Sequence, residues 1–188
     1  MSILSKPAEC KLCPCAARPG FIPDSHLSLT KEPVALVMLA SPFQDDTYKA
    51  KALAGNMGWV IENKWGIHRA DFAWSYLLRC WQGGKPLVGK ARTDSVKRCR
   101  EYDEVVKEFN PTGFLVTFDF REALEVPPFQ RLIIRDFERV RWLRGQGVKP
   151  MLLMGKEVVK EFAPWLLGKG GIKAVRGHYW EEKLSDAA

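Results

Sequence analysis

Long apolar runs are missing from this chain. No stretch reaches the roughly 18 residues that a membrane-spanning helix needs. The start shows no charged segment leading into an apolar one, so no secretory signal is read there, and the expected location is the cytoplasm, that of the host if the protein is viral. Internal repeats, low-complexity tracts and a convincing domain boundary are also absent. Cysteine is scarce and odd in number, at five. A reducing compartment disfavours structural disulfides, and an odd count disfavours a closed disulfide framework. Metal or cluster binding therefore leads, provided the spacing supports it.

What remains is an ordinary globular composition of 188 residues, 46% hydrophobic and 27% charged, enough for one α/β domain with a sizeable core. The net charge is +7 and the pI about 9.2. A basic balance favours a polyanionic partner, because Lys and Arg displace counterions from phosphates, although many soluble proteins are basic without one.

Short apolar runs alternate with helical patterns. Val34–Leu39, Asp71–Leu78, Gly113–Phe118, Met151–Met154 and a short Ile172–Val175 read as strands. Helices are expected over 50–64, 93–109 (capped near Thr93 or Asp94 and stopped before Pro111), 128–144 and 156–167. The alternation predicts a three-layer α/β/α fold with a central, mainly parallel sheet of four to five strands. Residues 1–33 read as an irregular arm. The single domain spans 1–188, with 110–148 as an atypical strand–helix segment. Ligands of such sheets bind beyond the carboxyl ends of the strands, here the loops at 40–46, 76–92 and 117–121.

Cys10-Lys-Leu-Cys13 is a C-x-x-C pair, which lets two thiolates reach one metal or cluster from a single turn. A zinc knuckle or a redox pair has the same pattern. Cys80 ends a strand and Cys99 lies in the next helix. Four thiolates suffice for a 4Fe-4S cluster, zinc is the alternative, and two buried core thiols are a third account of Cys80 and Cys99.

These segments resemble a family. Cys10-Lys-Leu-Cys13-Pro-Cys-Ala-Ala-Arg18 is similar to the opening of the iron–sulfur uracil-DNA glycosylases, the family-four type and its phage relatives. Gly66-Ile-His-Arg69 with Trp74-Ser-Tyr-Leu-Leu-Arg-Cys80 resembles the strand leading to that family's third cysteine, and Cys99-Arg-Glu-Tyr102 the helix bearing the fourth. Lys149-Pro-Met-Leu-Leu-Met-Gly155 and Gly171-Ile-Lys-Ala-Val-Arg-Gly177 resemble its later strand and turn. The resemblance covers about residues 10–109 and 149–180. It implies a cluster on Cys10, Cys13, Cys80 and Cys99 in preference to zinc. Cys15, where the family has an apolar residue, is left out of the ligand set.

The family's catalytic motifs are not matched. In Leu39-Ala-Ser-Pro-Phe43 the Pro42 falls on the family proline, which puts Ala40 at the position of the catalytic carboxylate. Leu53 replaces the Phe that stacks on uracil, and Tyr76 replaces the Asn that reads its edge; a phenol lacks the paired donor and acceptor of an amide. No His-Pro-Ser motif follows Gly177. Thr117-Phe-Asp-Phe-Arg-Glu-Ala-Leu124 is its candidate counterpart moved upstream, with Asp119 in place of the His, and His178 is a further candidate. Asp45 and Asp46 can substitute for the missing carboxylate, or simply cap and solvate a loop. The resemblance thus implies a scaffold retained without uracil excision, with an active glycosylase of altered base specificity and a zinc-stabilised interaction module as alternatives. DNA is the expected partner, with a DNA polymerase or other replication protein beside it, in phage or bacterial replication or repair.

Two basic stretches suit phosphates. One holds Lys85, Lys90, Arg92, Lys97 and Arg98, bordering the expected cluster; the other holds Arg131, Arg135 and Arg139 at helical spacing. A solvated charged face is the competing account of the second. Trp59, Trp74 and Trp142 are expected in the core.

Overall fold

The computed structural model describes residues 6, 8–18, 20–22, 32–49, 51–101 and 103–175. His178, Tyr102, the end of the Gly171–Gly177 turn and much of the 1–33 arm lie outside them.

In chain order the elements are β1 (Leu36–Leu39), α1 (Gln44–Lys49), α2 (Asn56–Asn63), β2 (Ala73–Tyr76), α3 (Gly89–Glu101), α4 (Glu104–Phe109), β3 (Gly113–Thr117), α5 (Phe120–Glu125), α6 (Pro127–Gly145), β4 (Pro150–Met154), α7 (Lys156–Gly168) and β5 (Lys173–Val175). The five strands form one sheet in the order β2-β1-β4-β3-β5, and every pairing is parallel. β1 to β4 are buried along their whole length, as apolar runs covered on both faces must be, whereas edge strand β5 is largely exposed. This is the α/β sheet flanked by helices that the alternating pattern predicts. Among the described residues no helix is long and apolar enough to cross a membrane.

Alternation along the strands sorts the layers. Trp74, Val37, Leu152 and Leu115 share one row of the register. On that face Trp74 meets Phe120 of α5 and Phe137 of α6, with Phe72 edge-on to Phe137 at 4.9 Å. The opposite face carries Ser75, whose hydroxyl donates to Asp103 at the start of α4 (2.7 Å). The α3 and α7 helices meet through Arg92 with Glu157 and through Arg100 over the Trp165 ring.

Several boundaries differ from expectation, each for a local reason. The helix expected over 93–109 starts earlier and splits in two. Thr93 lies inside α3, one turn past its start, its hydroxyl donating to the Gly89 carbonyl, and so does not cap it. Asp103 caps α4 by accepting from the Val106 N–H at 3.1 Å, which ends the continuous helix. Asn110 closes α4 in the left-handed region (φ 50°), just before Pro111. Two short helices, α1 and α5, arise where loops were read. α5 is fixed by a capping box of Asp119 and Glu122. Pro127 and Pro128 open α6, where a missing N–H costs no helical bond.

Candidate functional site

The amino-terminal segment is held by its backbone. The 3-10 turn Ala8–Leu12 leads into turns in which Cys13 N–H donates to Cys10 O (3.0 Å) and Arg18 N–H to Cys15 O (3.0 Å). Lys6 Nζ donates to the carbonyls of Cys15, Ala16 and Arg18 at 2.6, 2.9 and 2.7 Å. The segment joins the body through an antiparallel bridge between Phe21 and Cys80, with Ile22 N–H donating to Arg79 O at 3.1 Å. Arg18 reaches over to the Gln82 carbonyl.

This docking gathers the thiols. Cys13, Cys15, Cys80 and Phe21 are buried together, with Cys10 and Leu87 packed against them. Cys13 Sγ donates to Ser95 Oγ of α3 at 3.5 Å, and Cys15 N–H donates to Cys13 Sγ at 3.4 Å. Gln82 Nε2 points at Cys15 Sγ (3.7 Å) while donating to Cys80 O (2.9 Å). A hydrogen bond from the Cys80 thiol, aided by Ser95, Gln82 and Arg18, brings Cys15 down to about 5 against its burial. That donated bond, together with burial, pushes Cys80 up. Cys99, half-buried on α3, feels the charges of Cys13 and Cys15; desolvation pushes it up to about 12, opposed by the Arg79 backbone N–H.

Of the four cysteines read as ligands, Cys10, Cys13 and Cys80 pack in this nest while Cys99 packs against the main core, and no disulfide joins any of the five. Cys15, left out of the ligand set, is 2% exposed and packs among Cys13, Cys80 and Gln82 within the nest. Among the described residues no group of three or more His, Cys, Asp or Glu that could hold a metal ion is found.

A buried ion pair braces the wall behind Cys80. Arg79 Nη2 lies 2.9 Å from Asp103 Oδ1, with side chains 5% and 2% exposed. An Arg preceding Cys80 gave no sign in the sequence of where its partner lay.

The expected base pocket is split. Ala40 and Pro42 border a polar cavity of about 430 Å³ whose rim includes Trp81, Arg92, Arg121 and Glu157. Leu53 and Tyr76 do not face it: they are 0% and 1% exposed, so neither can meet a flipped base as the chain stands. Leu53 also holds a left-handed backbone (φ 52°), and its carbonyl lies so close to Gly58 that any Cβ there would overlap it.

The carboxylate candidates have structural employment. Asp46 is fully buried. Its Oδ2 accepts from Phe43 N–H (3.0 Å) and Tyr76 O–H (2.8 Å), and its Oδ1 from Ala54 N–H (2.8 Å). Burial raises its pKa against those bonds, and burial beside Asp46 raises that of Tyr76 much further. Asp119 caps α5 by accepting from Arg121 N–H (2.8 Å), and burial raises it too. Asp119 also crowds Gly155, whose φ of 88° leaves no room for a side chain. Asp45 is exposed and lines a neighbouring cleft of about 340 Å³ with Phe43, Met57 and Leu124.

The two basic stretches differ. Lys85, Lys90 and Lys97 are exposed and Arg98 half-buried, but Arg92 is bound to Glu157 at 3.1 Å. On α6, Arg131, Arg135 and Arg139 are exposed, and no acidic partner for them is found among the described residues. The expected burial of the tryptophans holds for Trp74 alone: Trp59 is 54% and Trp142 58% exposed, because each falls on the outer face of its helix.

No protein-family model matches the chain, and no curated protein matches it. Fold and site together define a parallel α/β protein with a cysteine nest at one end of β2.

Proposed function

We propose that this chain is a DNA-binding iron–sulfur protein built on a uracil-DNA glycosylase-like scaffold, without standard uracil excision, acting in phage or bacterial DNA replication or repair. The observation that carries the reading is the packing of the amino-terminal thiols against Cys80, with Cys99 on α3 close enough to feel the charges of Cys13 and Cys15. Cys10, Cys13, Cys80 and Cys99 would hold a 4Fe-4S cluster, which supplies a covalent tie between the arm, the end of β2 and α3. A cluster gives each thiolate its own iron, so it suits sulfurs spread around a nest, whereas zinc draws all its ligands to one point. The loss of excision is supported by Ala40 at the carboxylate position and by the enclosure of Leu53, Tyr76 and Asp46. The net charge of +7 supports the nucleic-acid partner.

Metal and sulfide analysis of anaerobically purified protein tests the cluster. Iron with matching sulfide and absorbance at about 400 nm are expected, both lost in Cys13→Ala and Cys99→Ala. Stoichiometric zinc without iron would replace the cluster by the zinc-stabilised module. Incubation with uracil-, hypoxanthine- and xanthine-containing oligonucleotides tests excision. No abasic product is expected; product that disappears in Asp46→Asn would restore the enzyme.

A further inference from the structure

We infer that the outer face of α6 is a track for single-stranded nucleic acid, on which Trp142 stacks an unpaired base while Arg131, Arg135 and Arg139 hold backbone phosphates. The inference rests on the nucleic-acid reading above and specifies its surface and its ligand.

The helix anchors its inner side through Ile133, Phe137 and Val140, all 2% exposed or less. Asp136 is buried there as well, accepting from Thr117 Oγ1 at 2.7 Å. That anchorage fixes which residues point outward. Arg131, Arg135 and Arg139 follow one another by one turn, and Trp142 comes next along the same face. From Arg131 to Trp142 the rise is about 16 Å, enough for several phosphates. Glu138 is the acidic residue beside the stripe and leaves it net positive.

Other arginines of the molecule are engaged internally. Arg79 binds Asp103, Arg69 binds Glu62, Arg92 binds Glu157 and Arg141 binds Asp71. Arg100 donates to the Glu161 carbonyl, and Arg121 lies over the Phe43 ring. Against that background the α6 stripe has no acidic partner among the described residues. Arg139 lies 5.9 Å from the Trp142 ring, which leaves most of that ring open.

A large exposed aromatic beside a row of guanidiniums suits a ligand that brings anionic groups and planar faces together. Single-stranded nucleic acid does so, because its bases are free to stack, while a duplex keeps its base faces inside. Phosphate attraction alone would not call for the tryptophan.

The test uses the whole cluster-loaded protein and fluorescently labelled twenty-nucleotide oligodeoxyuridine, oligouridine and duplex DNA, titrated over a range of salt. Single strands are expected to bind more tightly than duplex, and the preferred sugar identifies DNA or RNA as the source. Trp142→Ala should weaken single-strand binding by about 5- to 150-fold, while Trp142→Phe, which keeps an aromatic face, retains most of it. The triple change Arg131→Ala, Arg135→Ala, Arg139→Ala should flatten the salt slope by about 2 units. Unchanged affinity in Trp142→Ala, an unchanged slope in the triple variant, or tighter binding of duplex overturns the track and leaves DNA binding elsewhere intact. A parent protein that binds none of the three overturns the nucleic-acid reading itself.

Discussion

The region behind Cys80 and the outer face of α6 handle charge in opposite ways. Behind Cys80 the Arg79–Asp103 pair is enclosed, with Ser75 and the Val106 N–H occupying the remaining acceptor sites of the carboxylate. On α6 three arginines stand in solvent. The first arrangement makes stability depend on every partner; the second leaves stability indifferent and the charge available. The loop around Asp46 is an intermediate case: a buried carboxylate met by two N–H donors and one phenol instead of a cation.

Substitutions sharpen this contrast. Asp103→Ala is expected to cost about 3 to 5 kcal/mol, since it strips Arg79 of its carboxylate in a dry site and uncaps α4; chemical denaturation measures it, and a cost below that of a surface pair would break the contrast. Asp46→Ala should cost about 2 to 4 kcal/mol by stranding three donors, read in the same way. Tyr76→Phe should cost about 1.5 to 3 kcal/mol at neutral pH and less as pH falls below the raised value of Asp46, where the carboxyl takes up a proton and the lost bond is no longer to a charge.

The sign follows from the raised pKa of Asp46. Above its ordinary value of 3.8 the unfolded chain has released a proton that the folded chain still holds. Stability therefore falls as pH rises from 3.8 through the raised value, then levels off. Asp119 contributes in the same direction, so Asp46→Ala should reduce this slope without abolishing it, as denaturation over a pH series would record. At the small end, Arg135→Ala should shift stability by no more than about 0.5 kcal/mol while lowering nucleic-acid affinity, a split that thermal melts and binding titrations together would reveal.

The strands were readable because β1 to β4 are covered on both faces, and a short apolar run has few other uses. The break after α3 was not, because it depends on Asp103 meeting Arg79 across the fold. The resemblance in spacing put Cys13, Cys80 and Cys99 in one set, and of these Cys13 and Cys80 pack together. It did not give the place of Cys15, since an apolar position and a thiol inside a nest look alike in one dimension. Spacing put Arg131, Arg135 and Arg139 on one face, but it could not show that Arg92 is held by Glu157 while those three have no acidic partner among the described residues. Trp142 was misplaced for a related reason: tryptophan is usually buried, and only the anchoring of Phe137 and Val140 turns position 142 outward.

The strand order has a consequence for synthesis. β4 separates β1 from β3, and β5 is the other neighbour of β3, yet β4 and β5 are made after β1, β2 and β3. While the ribosome is still translating α6, the nascent chain holds a two-stranded fragment and an orphan third strand, with apolar edges that only later residues can cover. Assembly must wait for a distant segment to insert between earlier ones, a slow and aggregation-prone route on which a chaperone, or an early hold on the amino-terminal half, would raise the yield of folded protein.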